Sequence, residues 1–285
     1  MLKTVSAVRE RLAPERASGR TIGLVPTMGD LHEGHLSLIR RARADCDVVV
    51  VSDFVNPSQF GAGEDYERYP RDLERDVGLC AEEGVDVVFA PSPQEMYDEE
   101  FTTYVVLERL TDKLCGASRP SHFRGVTTVV AKLFNIVQPT SSYWGQKDAQ
   151  QVVVIKRMVA DLNFPVGVVV CPIAREPDGL AISSRNRYLT PEERRDAAIL
   201  YRSLCGAKDE IASGERNPPR VIRQIRTAIK RARSAKIDYV AIVHPESLED
   251  VDNIDGEALM AVAAWFGKAR LIDNMLVSPP AGPGK

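Results

Sequence analysis

The chain has 285 residues, of which 44% are hydrophobic and 27% charged, and its formal net charge is −3 at pH 7. This composition is typical of a globular protein of one or two domains, and the acidic balance argues against the basic surface of a nucleic-acid-binding protein. Scattered cysteines without a CxxC pair argue against a zinc ribbon or a disulfide framework. The N-terminus lacks the apolar stretch of a secretory signal, and no window is apolar enough for a membrane span. We therefore expect a cytoplasmic protein that binds neither nucleic acid nor membrane.

Predicted strands and helices alternate through the first part of the chain. The predicted strands are residues 21–25, 48–52, 85–89, 104–107, 142–144 and 166–171, and the predicted helices are residues 1–18, 36–44, 72–83, 125–137 and 148–161. Such alternation predicts a Rossmann-like α/β domain with an open parallel sheet covered by helices on both faces. Ligands bind at the carboxyl ends of the strands in folds of this type.

The pattern changes after residue 176. Two charged helices are predicted at 191–213 and 219–234, followed by strands at 237–243, 258–266 and 269–276. Helices followed by strands predict a smaller α+β domain. We therefore expect a domain of residues 1–176 and a second domain of residues 177–285, with disorder in the proline- and glycine-rich tail from residue 278.

The first segment that could carry chemistry is PTMGDLHEGH, residues 26–35, which follows the first predicted strand and opens a helix. A helix N-terminus offers unpaired N–H groups and the positive end of the helix dipole, and both favour phosphate. His32 and His35 are three residues apart and project from one side of a helical turn, where they can hydrogen-bond phosphate oxygens. A zinc helix would need histidines four apart. Two histidines that only cap the helix remain the alternative.

Two later segments also follow predicted strands. Asn56 and Gln59 in VNPSQF are neutral donors and acceptors, suited to the hydroxyl and carboxylate groups of a small substrate; an Asn-Pro turn is the alternative. Lys147 in YWGQKDAQQ is a flexible cation suited to phosphate. Asp148 beside it could help to hold Mg²⁺ or could cap the next helix. The chain contains no Walker loop.

A fourth segment, REPDGLAISSRNR at residues 175–187, follows the last strand of the predicted sheet. Its Ser183 and Ser184 precede Arg185, and hydroxyls beside arginines can bind a triphosphate through charge-assisted hydrogen bonds. A surface loop with a serine cap is the alternative. Because all four segments follow strands of one parallel sheet, we expect them to meet at one crevice.

Together these segments resemble a known family. PTMGDLHEGH is similar to the histidine signature of the nucleotidyltransferase superfamily, and VNPSQF, YPRD, RPSHFRGVTTVV, YWGQKDAQQ and DGLAISSRNRYL follow in order. The whole series, within residues 21–189, resembles the pantothenate synthetase (pantoate–β-alanine ligase) family. The resemblance implies ATP-dependent condensation of pantoate with β-alanine to pantothenate through a pantoyl-adenylate, with release of AMP and pyrophosphate. It also implies Mg²⁺ with the ATP, and a homodimer.

The resemblance further implies roles for individual residues. The catalytic group would be His32, His35, Lys147 and Arg185. The ATP site would comprise Pro26, Thr27, Met28, Gly29, His32, His35, Gly145, Lys147, Asp148, Ala174, Ile182, Ser183, Ser184 and Arg185. Pantoate would contact Met28, Gln59 and Gln151, and Asp148 would lie near Mg²⁺.

The implied chemistry requires no covalent nucleophile. Attack on the α-phosphate builds negative charge on phosphate oxygens, which fixed cations and donors stabilise most strongly in the transition state. An acyl-adenylate is easily hydrolysed, so the site must close over it. Residues 61–65, Gly-Ala-Gly-Glu-Asp, are the predicted mobile cover.

Two other functions remain open. An adenylyltransferase of the same fold would stop at nucleotide transfer, and the Gln59 and Gln151 segments argue against it. A regulatory protein that binds a nucleotide without catalysis is the second alternative, and His32, His35 and Lys147 argue against it.

Asp53 departs from the family pattern, which usually has Ile at this position. It extends an apolar strand, and an unpaired buried carboxylate is costly. We therefore expect Asp53 to point away from the ligands and to find an arginine, a backbone N–H group or water.

Overall fold

The computed structural model describes residues 1–280, so most of the tail predicted to be disordered lies outside the described residues. The helices are α1 (Val5–Ala17), α2 (Glu33–Asp45), α3 (Leu73–Glu82), α4 (Pro93–Met96), α5 (Leu114–Ser118), α6 (His122–Val137), α7 (Ala149–Asp161), α8 (Pro191–Ala197), α9 (Ile199–Ala212) and α10 (Pro218–Ile229). The strands are β1 (Ile22–Thr27), β2 (Val48–Asp53), β3 (Val87–Phe89), β4 (Ser141–Gly145), β5 (Gly167–Cys171), β6 (Ala235–Val243), β7 (Ala258–Phe266) and β8 (Ala269–Val277). Short 3-10 helices lie at Pro57–Gln59, Gln146–Asp148 and Ser184–Tyr188.

The chain divides into two compact units. Unit 1 comprises Met1–Gln146 and Gln150–Pro172, and unit 2 comprises Lys147–Ala149 and the chain from Ile173 onward. Each unit has its own sheet and its own hydrophobic core.

Unit 1 contains a five-stranded parallel sheet in the order β3-β2-β1-β4-β5. The run of valines in β2 is buried along its length, as expected of a strand covered on both faces. On one face, α2 buries Leu38, Ile39 and Ala42 against the sheet. The predicted Rossmann-like sheet is therefore confirmed.

The strand order places a topological switch point between β1 and β4, because the chain leaves β1 for β2 on one side and later returns to β4 on the other. The carboxyl ends at such a point are the usual ligand-binding edge of a parallel sheet. The β1–β2 register pairs Thr27 with Asp53. The segments that follow β1 and β2 therefore leave the sheet side by side.

Unit 2 contains a three-stranded antiparallel sheet in the order β6-β7-β8. Helix α10 buries Val221, Ile225 and Ile229, which are spaced four residues apart, in a core shared with α9 and the three strands. The predicted α+β character of the C-terminal region is confirmed.

Two predicted elements are wrong. Within the described chain, residues 104–107 pair with no strand. Instead, the N–H of Val105 donates to Thr128 Oγ1, and its carbonyl accepts from Thr127 Oγ1. The predicted helix 191–213 is interrupted at Ala198 and forms α8 and α9. Asp196 at the end of α8 accepts hydrogen bonds from the N–H and hydroxyl of Ser234, a tertiary contact that local helix propensity does not encode.

Candidate active site

The two predicted histidines lie where the loop from β1 enters α2. His32 is the N-cap of α2, and its ring stacks on that of His35 with 4.0 Å between centroids. The Nδ1 of His35 accepts from the N–H of His32 at 3.4 Å. In a neutral ring that bond puts the proton of His35 on Nε2, which is then a donor.

A second hydrogen-bond system holds this loop from the side of α3. The carboxylate of Asp76, 1% exposed, accepts from the N–H groups of Asp30 at 2.7 Å and Leu31 at 2.8 Å. Asp30 has a φ of 51° and Gly29 a φ of 77°, so the turn uses the left-handed region that favours Gly, Asn and Asp. Any side chain at Gly29 would also collide with Asp53, since its Cβ would lie 2.5 Å from Asp53 Oδ1.

The partner of Asp53 differs from the sequence-based expectation. Its carboxyl group lies beside that of Asp76, and among residues 1–280 it makes no hydrogen bond to an arginine or a backbone N–H group. Two carboxyl groups can share a hydrogen bond only when one carries a proton. Burial raises the pKa of Asp53 to about 7, and repulsion from Asp76 contributes to that rise.

A cation lies beside this pair, because Arg75 Nη1 is 3.4 Å from Asp76 Oδ1. Burial also raises the pKa of Asp76, against the lowering effect of the two N–H groups and of Arg75. Asp53 Oδ2 is buried with no hydrogen-bond partner among residues 1–280. Asp30 adds a third carboxylate, with Arg75 Nη1 4.0 Å from its Oδ1. We call Asp30, Asp53 and Asp76 the carboxyl cluster.

The loop after β2 holds Gln59 in a different way. Asn56, 1% exposed, donates from Nδ2 to Gln59 Oε1 at 3.0 Å and to the carbonyl of Gly125 at 3.1 Å. Its Oδ1 accepts from the N–H of Ser58 at 3.2 Å, the hydroxyl of Ser58 at 2.8 Å and the hydroxyl of Tyr97 at 2.8 Å. We call Asn56, Ser58, Gln59, Tyr97 and Gly125 the amide network.

Two predicted substrate-binding residues meet at this loop. Gln59 Nε2 donates to Met28 Sδ at 2.8 Å. The close approach of α6 depends on Gly125, because a Cβ there would lie 2.3 Å from the carbonyl oxygen of Ser58 and 2.5 Å from Gln59 Cα. His122 Nδ1 lies 2.9 Å from the carbonyl oxygen of Gln59, so the first turn of α6 also contacts the backbone of this loop.

Unit 2 fixes the backbone of Lys147. The side chain of Asn274 on β8 donates to the Lys147 carbonyl at 3.0 Å. Lys147 Nζ lies 3.5 Å from Asp148 Oδ2, and 46% of the Asp148 side chain is exposed. Mg²⁺ bound with a nucleotide needs only one or two protein carboxylates, because phosphates and water supply the other ligands. An exposed carboxylate such as that of Asp148 fits this requirement, and within residues 1–280 no group of three or more His, Cys, Asp or Glu side chains is placed to hold a metal ion.

A hairpin in unit 2 carries the predicted serine and arginine residues. The N–H of Ile182 donates to the carbonyl of Ala174 at 3.0 Å, so these two predicted ATP-binding residues lie opposite each other. Ser183 Oγ accepts from the N–H of Arg185 at 3.3 Å and caps the 3-10 helix that follows. The serine-cap alternative therefore describes the contact that Ser183 makes here, while Ser184 is buried at 6% exposure.

Asp273 anchors the base of this hairpin. It is 3% exposed and pairs with Arg175 through two hydrogen bonds of 2.7 and 2.9 Å. Paired bonds between a guanidinium and a carboxylate fix direction as well as distance. Arg175 also lies over the ring of Tyr201, 4.0 Å from its centroid, and the hairpin is thus held from the core of unit 2.

Comparison with known proteins decides the family. A family model described as pantoate-beta-alanine ligase matches residues 1–276. The chain belongs to the pantoate–β-alanine ligase family. It is similar to the pantothenate synthetase of Moorella thermoacetica, with 57% identity over 97% of this chain and 98% of the relative, and to that of Thermotoga neapolitana, with 57% identity over 97% and 99%.

Solved structures of the family agree in fold. Pantothenate synthetase from Thermus thermophilus has a TM-score of 0.93 and 50% identity, covering 98% of this chain and 99% of that one. Pantoate–β-alanine ligase from Francisella tularensis, solved in complex with β-γ ATP and β-alanine, has a TM-score of 0.79 and 34% identity over the full length of both chains. The chain is therefore a ligase.

Among residues 1–280, no helix is both long and apolar enough to cross a membrane.

In this ligase the predicted site residues are distributed over both units. Unit 1 contains Pro26, Thr27, Met28, Gly29, His32, His35, Gln59, Gly145 and Gln151, and unit 2 contains Lys147, Asp148, Ala174, Ile182, Ser183, Ser184 and Arg185. Within unit 1, Thr27 Oγ1 accepts from the N–H of Gly29 at 3.2 Å. Gly145 ends β4, and Gln151 lies partly exposed on the first turn of α7.

The residues that support these loops carry no signal in the sequence. Asp76 lies in a charged helix and Tyr97 follows a four-residue helix, so no local motif marks either of them. The sequence does not indicate the role of Gln150 either: its side chain accepts from the N–H of Cys115 and donates to the carbonyls of Leu110 and Lys113. All three act through partners distant in sequence, which a single sequence does not reveal.

Proposed function

We propose that this ligase uses ATP to condense pantoate with β-alanine to pantothenate, through a pantoyl-adenylate, and releases AMP and pyrophosphate. The observation that carries the proposal is the 2.8 Å contact between Gln59 and Met28 in the loop that leads into α2. It joins an amide suited to a substrate carboxylate or hydroxyl to a helix N-terminus suited to phosphate. The ligands of the Francisella relative, β-γ ATP and β-alanine, support the same pair of substrates.

In the first step a carboxylate oxygen of pantoate attacks the α-phosphorus of ATP. The bond from that phosphorus to the bridging oxygen breaks, and pyrophosphate leaves. Negative charge grows on the α-phosphate oxygens, where His32, His35 through Nε2–H, Lys147 and Arg185 would stabilise it. Ser183 and Ser184 would bind phosphate oxygens, and Gln59, Gln151 and Met28 would hold the acid for in-line attack.

In the second step the amine of β-alanine attacks the carbonyl carbon of the adenylate. The amine loses a proton, the bond from carbon to the bridging oxygen breaks, and AMP leaves with that oxygen. While ATP is bound, Asp148 would help to hold Mg²⁺, which would supply positive charge against the phosphates. Residues 1–176 would form the nucleotide- and pantoate-binding domain, and residues 177–285 the smaller domain.

Pyrophosphate release tests this proposal against an enzyme that only transfers nucleotides. With ATP, Mg²⁺ and pantoate but no amine, about one equivalent of pyrophosphate per site should appear in a burst. Adding β-alanine should start steady turnover. His35→Ala is the matched control, because loss of one aimed donor typically lowers the rate roughly 10²–10³-fold without unfolding the protein. The proposal fails if no adenylate forms before the amine is added.

We also propose that the ligase is a cytoplasmic homodimer, on the resemblance to its family alone. Light scattering of the purified protein across a concentration series tests the oligomeric state. A mass of about 31.5 kDa at every concentration would contradict the dimer.

A further inference from the structure

The hydrogen bonds of the amide network allow only one orientation of the Asn56 side-chain amide. The N–H of Ser58 can only donate and the carbonyl of Gly125 can only accept. Asn56 meets both backbone groups, at 3.2 Å through Oδ1 and at 3.1 Å through Nδ2. A flipped amide would face each of them with the wrong group, so the Asn56 side chain has one orientation.

That orientation determines the orientation of Gln59. Asn56 turns Nδ2 toward Gln59, 3.0 Å from its Oε1. Only the oxygen end of the Gln59 amide can accept this hydrogen bond, so Nε2 is left on the other side, where it contacts Met28 at 2.8 Å. The loop therefore presents the NH₂ group of Gln59, and not its carbonyl oxygen, on the side of Met28.

Tyr97 completes this arrangement from a distant part of the chain. Its hydroxyl lies 2.8 Å from Asn56 Oδ1 and 3.1 Å from Ser58 Oγ. Burial raises the pKa of Tyr97, so the hydroxyl keeps its proton and donates it. The ring is held by contacts with Phe54 and Phe101, at 6.3 and 4.9 Å between centroids.

We propose that Tyr97 is a positioning residue for the acid substrate, acting through Asn56 on the amide of Gln59. This rests on the proposed function, in which Gln59 contacts pantoate. It also identifies the chemistry of the contact: an NH₂ group needs an acceptor, so Gln59 meets a carboxylate or hydroxyl oxygen of the acid.

Tyr97→Phe removes the hydroxyl and keeps the ring. The KM for pantoate should rise roughly three- to tenfold, as expected for one neutral hydrogen bond, while kcat and the KM for ATP change less than twofold. Tyr104→Phe is the matched control, because the ring of Tyr104 contacts Phe101, as that of Tyr97 does, while its hydroxyl takes no part in the amide network. It should leave all three constants unchanged.

A double-mutant cycle separates positioning from general stability. In a Gln59→Ala background, Tyr97→Phe should raise the KM for pantoate no further, because its effect passes through the missing amide. If Tyr97→Phe raises this KM by the same factor in both backgrounds, or in neither, the positioning role is wrong. If Gln59→Ala alone leaves pantoate binding unchanged, Gln59 is not in the acid site, and the proposed function rather than the network is at fault.

Discussion

The carboxyl cluster and the amide network each have a member near the end of β2, where Asp53 and Asn56 are three residues apart. Yet the two groups satisfy their polar atoms in opposite ways. Asn56 uses its two ends for different partners, so every donor meets an acceptor. The carboxyl group of Asp53 lies beside that of Asp76. Both groups are acceptors when ionised, so a favourable contact between them requires a proton on one of them. Both arrangements are largely buried, and both support a loop that carries predicted site residues.

The two groups show that the type of side chain decides whether a buried polar contact depends on pH. A neutral amide has a built-in donor and acceptor, so its geometry does not change with pH in the working range. A carboxyl pair has a geometry that changes when it loses its shared proton. We expect Gln59 to be positioned equally well at pH 6 and pH 8, and the stability contributed by the carboxyl cluster to differ between them.

The largest effect is expected from Asn56→Asp, which turns the amide network into a second carboxyl cluster. The new carboxylate would face the carbonyl of Gly125 and the Oε1 of Gln59 without a donor. At pH 8 the free energy of unfolding should fall by about 3 kcal/mol or more, and at pH 4 by less, because protonation restores one donor. Urea unfolding at both pH values measures this, with the exposed Asn135→Asp as control. An equal loss at both pH values would contradict the account.

Asp53→Asn should act in the opposite direction. In the wild type the folded protein binds the shared proton more tightly than the unfolded chain does, since the pKa of Asp53 is about 7 when folded and about 3.9 when unfolded. Stability is therefore fully present below about pH 4 and is lost as pH rises through about 7. At pH 8 the variant should be more stable than wild type, on the order of 2–4 kcal/mol, and the gain should vanish near pH 4.

Asp47→Asn is the matched control with the reverse sign. Hydrogen bonds from the N–H and hydroxyl of Thr21 lower the pKa of Asp47. Its contribution is present above the unfolded pKa and is lost as pH falls, so this variant should be less stable than wild type at neutral pH. If Asp53→Asn also destabilises the protein at pH 8, the carboxyl pair is not the repulsive contact described here.

The smallest effect is expected from Ser58→Ala. It removes one of the donors to Asn56 Oδ1 and leaves the Ser58 N–H and the Tyr97 hydroxyl in place. The free energy of unfolding should fall by about 0.5–1.5 kcal/mol, and the KM for pantoate should change less than twofold. Ser213→Ala, which loses a hydroxyl contact to a helix carbonyl, is the control. A larger KM change than in Tyr97→Phe would assign the orienting role to Ser58 instead.

The sequence predicted elements whose pattern is local. Burial could be predicted from the valine run of β2. It could also be predicted from the four-residue spacing of Val221, Ile225 and Ile229 in α10. Residues 104–107 have the aromatic and β-branched composition of a strand, but the N–H and carbonyl of Val105 bond to threonine side chains of α6. The four-residue helix α4 is too short for a periodic pattern.

The candidate site divides in the same way. His32, His35 and Gln59 stand in recognisable motifs directly after strands, and the structure describes them at the carboxyl ends of β1 and β2. Asp53 stood out in the sequence because a carboxylate extends an apolar strand, but its partner could not be predicted. Asp76 is joined to its loop across 45 and 46 residues of sequence, and Tyr97 across 41. Only the folded chain shows these contacts.

Oxygen transfer tests the proposed adenylate chemistry most directly. Pantoate labelled with ¹⁸O in its carboxylate is turned over with ATP and β-alanine, and the AMP is analysed by mass spectrometry. In the adenylate mechanism a carboxylate oxygen bonds to the α-phosphorus and stays there when the amine displaces AMP, so each AMP should carry one ¹⁸O. Unlabelled AMP, or label in inorganic phosphate with release of ADP, would contradict the account.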